Sequence, residues 1–194
     1  MRFKIYKFKK VTSTNDIAIN LIKEKKSKRG FVYAVKQTKG RGTRGRKWVS
    51  QEGNFFGSIF FQLQHKYPSF SEFSLINSVI ISNVIKKYCK KNKVSLKFPN
   101  DVFLNKKKIC GILQEVITFN EKDFLVIGIG INIVSNPIMV KKYKATNIFL
   151  ETKKKPKVDE IIKLIKSSYE NFFLNINSYN FLNFKNKAKL MAIN

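Results

Sequence analysis

Histidine is almost missing: the 194-residue chain has a single one, His65. Without a second imidazole, histidine-ligated metal centres and histidine-based triads find little support. Its two cysteines, Cys89 and Cys110, have neither a metal-type spacing nor the setting of a secreted disulfide framework. Long apolar runs are lacking too; the longest, Phe124 to Val134, is too short to span a bilayer and contains two glycines. The opening Met1-Arg2-Phe3-Lys4-Ile5-Tyr6-Lys7 alternates apolar and basic residues and has no signal-peptide block. A soluble, cytoplasmic protein is the expectation. Acidic residues are scarce, 12 against 39 Lys and Arg, which leaves a net charge of +27. Such an excess fits nucleic acid, an anionic surface or a phosphate-bearing substrate. Yet Lys, Asn, Ile and Phe are plentiful throughout, as an AT-rich genome produces, and the lysines are spread over the whole chain. Charge alone therefore assigns no function.

The chain does hold the material of a core. Hydrophobic residues make up 43% and charged residues 26%, enough for one domain of ordinary size. Arg2 to Phe8 alternates like a half-exposed strand. The capping residues Ser13-Thr14-Asn15-Asp16 precede Ile17, Ala18, Leu21 and Ile22, which predicts a helix to about Lys26. Strands are expected over Phe31 to Val35 and Phe55 to Leu63, separated by a polar segment, Gln37 to Asn54. Ser69 with Glu72 forms a capping box opening a helix with Phe73, Ile76, Ile80, Val84 and Tyr88 on one face. Ser95 to Phe98, Val102 to Leu104, Ile109 to Ile117 and Phe124 to Val134 read as strands. A last helix runs from about Val158, with Ile161, Ile162, Ile165, Tyr169, Phe172 and Phe173 aligned and Pro156 just ahead. This order predicts an α+β fold, a mixed β-sheet packed on helices.

The most informative stretch is Gln37-Thr38-Lys39-Gly40-Arg41-Gly42-Thr43-Arg44-Gly45-Arg46-Lys47-Trp48, with three glycines, three arginines and the only tryptophan. Glycine lets backbone N–H groups approach an anion, arginine offers a planar fork for phosphate or carboxylate, and tryptophan can stack on a base. Gly40, Gly42 and Gly45 satisfy the dinucleotide fingerprint G-x-G-x-x-G. No helix opens at the loop, however, and no carboxylate follows about 20 residues on, as that fold requires. A P-loop fails as well, because Gly45 is followed by Arg46-Lys47. A second constellation is Lys97-Phe98-Pro99-Asn100-Asp101 followed by Lys106-Lys107-Lys108-Ile109-Cys110-Gly111-Ile112-Leu113-Gln114-Glu115. A third is Gly128-Ile129-Gly130-Ile131-Asn132, whose two glycines open the same face of one strand.

Taken in order with Ser13-Thr14-Asn15 and Ala145-Thr146-Asn147-Ile148, these motifs resemble those of biotin–protein ligases, from about Val11 to about Leu174. The resemblance implies a fold like that of class II aminoacyl-tRNA synthetases. It implies an enzyme that joins biotin to ATP as biotinyl-AMP, with Mg²⁺, and passes biotin to a lysine of a biotin carboxyl carrier protein, a subunit of acetyl-CoA carboxylase. By motif matching, Ser13, Thr14, Asn15, Gln37, Gly40, Arg41, Gly42, Thr43, Lys108, Gly111 and Gly128 would surround biotin. Arg41, Arg44, Arg46, Trp48, Lys97, Asn100 and Asn132 would take ATP. Arg41 and Lys108 would be the catalytic cations, and Asp101 would hold Mg²⁺ or orient Lys97. Thr43 stands where the family usually has arginine, and Phe98 replaces a tryptophan. Because Ser-Thr-Asn begins at Ser13, no N-terminal DNA-binding domain and no DNA binding are expected. A catalytic domain is expected over 1–180, with a short extension over 181–194 in place of the family's SH3-like domain. A homodimer is a further expectation, since relatives often pair through the central sheet. Lipoate–protein ligase and a basic nucleic-acid-binding module are the alternatives.

Overall fold

The computed structural model describes residues 1–137 and 144–193. Strand β1 (Ile5–Val11) leads into helix α1 (Thr14–Lys23), followed by β2 (Arg29–Gln37), β3 (Phe55–Gln62) and helix α2 (Phe70–Tyr88). Four strands follow without a helix between them: β4 (Val94–Lys97), β5 (Asp101–Leu104), β6 (Lys107–Phe119) and β7 (Lys122–Ile131). The chain ends with α3 (Ile148–Thr152), α4 (Val158–Leu174) and α5 (Phe181–Met191). The strands form one seven-stranded sheet in the order β1-β2-β3-β7-β6-β5-β4. Only β1 and β2 run parallel; the remaining pairs are antiparallel. The α+β expectation of a mixed sheet on helices is met.

Alternation along the strands feeds two cores. On one face Phe31, Phe55, Phe61, Leu125, Ile127 and Ile129 pack with Phe73, Ile76 and Ile81 of α2 and with Ile161, Ile165 and Tyr169 of α4. On the other face α1 places Ala18 and Ile22 against Val32, Phe60, Phe124 and Val126. The capping box forms as the sequence predicts, with Ser69 accepting from the Glu72 amide and Glu72 accepting from the Ser69 amide. Asn105-Lys106 and Asn120-Glu121 both take positive φ at the β5–β6 and β6–β7 turns, the conformation that matches strand twist in a two-residue hairpin loop.

Several boundaries differ from the sequence expectation by a few residues. Helix α1 stops at Lys23, two residues before Lys25 adopts positive φ. Strand β7 stops at Ile131 instead of Val134. There the Asn54 carboxamide oxygen accepts the amides of Ile133 and Val134 at 2.8 and 3.0 Å, replacing a neighbouring strand. The expected extension over 181–194 contains α5, docked on α2 and β4, and a short tail whose Ile193 amide donates to Leu96 O at 3.0 Å; Asn194 lies outside the described residues. No helix among the described residues is long and apolar enough to cross a membrane.

Candidate active site

The face of the sheet that α1 covers changes character beyond the helix. Paired residues share a face, so the register lines up Phe60, Val126 and Glu115, then Ser58, Gly128 and Leu113, then Phe56, Gly130 and Gly111. Along β7 the side chains on this face shrink from Phe124 and Val126 to Gly128 and Gly130. The sheet thus provides a floor without bulk, and a cavity of about 590 Å³ opens above it.

The loop after β2 forms the roof. It folds back as a small hairpin, with an isolated bridge between Arg41 and Lys47 and the Trp48 amide bonded to Gly40 O at 2.9 Å. Its tip is a single tight turn, Thr43–Gly45, where Arg44 and Gly45 take φ of 57° and 71°. Arg46 braces that tip: its Nε donates to Thr43 O at 3.2 Å and a terminal nitrogen to the Thr43 hydroxyl at 3.0 Å. The indole of Trp48 lies directly on Gly111 and Gly130. A Cβ on Gly111 would sit 2.7 Å from the ring, and one on Gly130 would overlap it. Trp48 Nε1 is buried and has no hydrogen-bond partner among the described residues.

At the α1 end, the polar side chains form one chain of hydrogen bonds. The Gln37 carboxamide oxygen accepts from the Thr14 amide and hydroxyl at 2.8 and 3.1 Å, and its nitrogen donates to Ser50 at 3.0 Å. Ser58, fully buried on β3, bonds both Thr14 and Asn15. The Asn15 side chain occupies the space above Gly128, where an added Cβ would come within 2.5 Å of its oxygen. Ser13 lines the cavity and leaves its hydroxyl out of helix capping.

Two of the cations lining the cavity are paired with carboxylates. Arg41 makes a two-pronged contact with Glu115, at 2.8 and 2.9 Å, and a third with Asp16 at 2.8 Å. Partial burial works against its charge, but the two carboxylates more than offset that and raise its pKa above the ordinary value. Lys108 Nζ sits 2.6 Å from Asp101 and 5.7 Å from the Trp48 ring centre. Asn100 and Asn132 spend their side-chain N–H on Ile112 O and Thr146 O, both at 3.0 Å.

The structure brings most of the sequence-predicted residues to this one cavity. Ser13, Thr14, Asn15, Gln37, Arg41, Gly42, Thr43, Arg44, Arg46, Trp48, Asn100, Asp101, Lys108, Gly111, Gly128 and Asn132 all line it. Gly40 is packed behind the wall, where a Cβ would meet Trp48 O at 2.6 Å, and Lys97 is also outside the lining, its ammonium 5.9 Å from the Phe103 ring centre. Gly111 and Gly128 receive protein side chains, Trp48 and Asn15, instead of standing open. Asp101 is engaged by Lys108, and no group of three or more His, Cys, Asp or Glu side chains among the described residues could hold a metal ion. That donor set does not fit a resident Mg²⁺. The sequence does not single out Ser58, and it gives Glu115, which ends the second constellation, no role. Only the strand register reveals that they face the cavity side.

Residues 7–132 match the Biotin/lipoate A/B protein ligase family. The bifunctional ligase/repressor BirA of Escherichia coli (strain K12) is 36% identical over 124 residues, 63% of this chain and 38% of that protein. The chain therefore spans less than half the length of this curated relative. Among solved structures, a biotin protein ligase from Aquifex aeolicus in complex with biotin and ATP is 29% identical, with a TM-score of 0.81 over 98% of this chain and 78% of that one. The biotin protein ligase of Leishmania major in complex with biotinyl-5-AMP is 25% identical, with a TM-score of 0.82 over 98% of this chain and 81% of that one. Sheet, glycine-arginine loop and cavity agree with the sequence match, and this chain belongs to the Biotin/lipoate A/B protein ligase family.

Proposed function

We propose that residues 1–180 form the catalytic domain of a biotin–protein ligase, which makes biotinyl-AMP from biotin and ATP and transfers biotin to a lysine of a biotin carboxyl carrier protein. The observation that carries this reading is the division of one cavity into two halves. One half has a neutral, hydrogen-bonding wall, Ser13, Thr14, Asn15 and Gln37, suited to a ureido ring; the other has the Trp48 indole beside Lys108, suited to a purine next to a phosphate. Arg41 and Lys108 both line the same cavity. The Aquifex and Leishmania relatives, solved with biotin, ATP or biotinyl-5-AMP, support the same assignment.

In this reading a biotin carboxylate oxygen attacks the α-phosphorus of ATP and pyrophosphate leaves. Two anions must meet, so the barrier is lowered by fixed positive charge where negative charge gathers. Lys108, oriented by Asp101, and Arg41, oriented by Glu115 and Asp16, supply it. Mg²⁺ on the ATP phosphates would add positive charge to that supplied by Lys108 and Arg41, and no residue of the cavity is assigned to hold it. The acceptor lysine then attacks the biotinyl carbonyl, an amide forms, AMP departs and the ammonium proton passes to solvent. The loop 40–48 over the cavity keeps water from the mixed anhydride.

Calorimetry with biotin and with lipoate, each with and without a non-hydrolysable ATP analogue, tests the proposal. Biotin binding that tightens with the analogue is expected. Preference for lipoate would transfer the reading to the other branch of the family, and no binding of either would refute it.

A further inference from the structure

Glu115 is an unexpected residue beside a cavity meant for anions. With Asp16 it puts two negative charges against the single positive charge of Arg41, which by Coulomb's law alone would discourage a carboxylate or phosphate from entering. Its geometry explains its presence. One oxygen accepts from Asn15 Nδ2 at 2.6 Å and from Arg41 at 2.9 Å, while the other accepts from Arg41 at 2.8 Å. Asn15 belongs to the start of α1, Arg41 to the roof loop and Glu115 to β6, so one carboxylate ties together three segments distant in sequence. Its β7 partner is Val126, under α1, one row away from Gly128 on the cavity floor. The side chain, 24% exposed, thus stands at the boundary between packed core and ligand space. Asn15 is fixed from both sides, since its oxygen accepts from Ser58 and its nitrogen donates to Glu115.

We propose that Glu115 is a positioning residue for adenylation: it sets the orientation of the Asn15 amide and aims the Arg41 guanidinium at the reacting carboxylate. This inference rests on the biotin ligase reading above and extends it to a residue outside the cavity lining. The two roles separate by substitution. In Glu115→Gln, the amide oxygen can still accept from Asn15 and from one Arg41 nitrogen, but the new NH₂ meets the other Arg41 donor and the carboxylate charge is gone, so Asn15 is kept while the arginine is loosened. In Glu115→Ala both partners are released.

The test measures biotin affinity by calorimetry and pyrophosphate release as kcat and KM, on the full chain, for wild type, E115Q, E115A, R41M and E115Q/R41M. Near-UV circular dichroism confirms the fold of each variant. E115Q is expected to keep biotin KM within about twofold and lose about tenfold or more in kcat; E115A is expected to raise biotin KM about tenfold as well. In the R41M background, E115Q should change kcat by less than about twofold, because the residue it acts through is gone. A purely electrostatic role would make E115Q tighter-binding or faster, and a purely structural one would make the Arg41 and Glu115 losses multiply; either result overturns the proposal. If wild type binds biotin and both Glu115 variants match it, this inference fails while the ligase reading stands. If wild type binds no biotin, both fall together.

Discussion

The Lys108 ammonium lies 2.6 Å from an Asp101 oxygen, with the two side chains only 15% and 11% exposed. Such a pair holds a cation in one place, at the cost that either partner left alone is a poorly solvated charge. Lys108→Ala is therefore expected to abolish pyrophosphate release, a loss of about 10²–10³ or more, and to lower the melting temperature as well. The double variant K108A/D101N removes the stranded carboxylate. Its melting temperature should recover toward wild type while activity stays absent. Thermal denaturation and a pyrophosphate assay on the same samples check both halves, and recovery of activity would end the case for Lys108.

The chain's only tryptophan lies on two glycines, which makes its fluorescence a direct probe of the nucleotide half. Gly111 and Gly130 are paired across β6 and β7 and together form the seat of the indole. In Gly130→Ala the new methyl would occupy the space of the ring, so the indole must lift toward solvent. The unliganded variant is expected to emit at longer wavelength than wild type and to bind the ATP analogue more weakly. An unchanged spectrum would show that the indole does not rest on Gly130 in solution.

Gly128 poses the same question for the biotin half. A Cβ there would lie 2.5 Å from the Asn15 oxygen, and Ser58 leaves the amide no room to retreat on the other side. Gly128→Ala is expected to displace Asn15 and weaken biotin binding about tenfold, with a folding cost of about 1–3 kcal/mol from overpacking. Calorimetry and urea denaturation separate the two effects. Wild-type affinity in a folded variant would remove Asn15 from the biotin contacts.

The parts of this molecule that were readable in the sequence are those written by local periodicity and by contiguous motifs. Helices α2 and α4 advertise themselves through Phe73, Ile76 and Ile80 and through Ile161, Ile165 and Tyr169, spaced to bury one face. The cavity residues came from motif resemblance, because Gly40 to Trp48 is one unbroken stretch. Helix α5 was not legible: Ala188 is its one buried residue, so no apolar stripe marks it. The roles of Ser58, Glu115 and Asn54 were not legible for another reason. Each acts through partners made neighbours only by strand register or by chain return, and nothing in the flanking residues distinguishes them. The same holds for the glycines, where sequence showed that a side chain was excluded but not that Trp48 and Asn15 fill the space.

Glu151 gives the site a pH-dependent support. From α3 it accepts hydrogen bonds from Thr146 at 2.6 Å and Asn105 at 2.8 Å and pairs with Lys107 at 3.0 Å. Thr146 in turn receives Asn132 Nδ2 on its carbonyl and gives its amide to Lys108 O at 2.8 Å, so the hub holds the strand ends that present both residues. Burial pushes the Glu151 carboxyl up, but the Thr146, Lys107 and Asn105 contacts outweigh it and leave the pKa below the ordinary 4.5. A carboxyl depressed in the folded state binds its proton more readily when unfolded. Its stabilising contribution is thus complete above the unfolded value and disappears as pH falls through the lower, folded one. The melting temperature should hold near about pH 6 and fall below pH 4.5. Glu72 and Glu170 are depressed too and will share in that fall. Glu151→Gln, which cannot titrate, should start lower at pH 6 and fall less steeply, so that the two curves converge in acid. Parallel curves from pH 6 downward would show that Glu151 carries no linked proton.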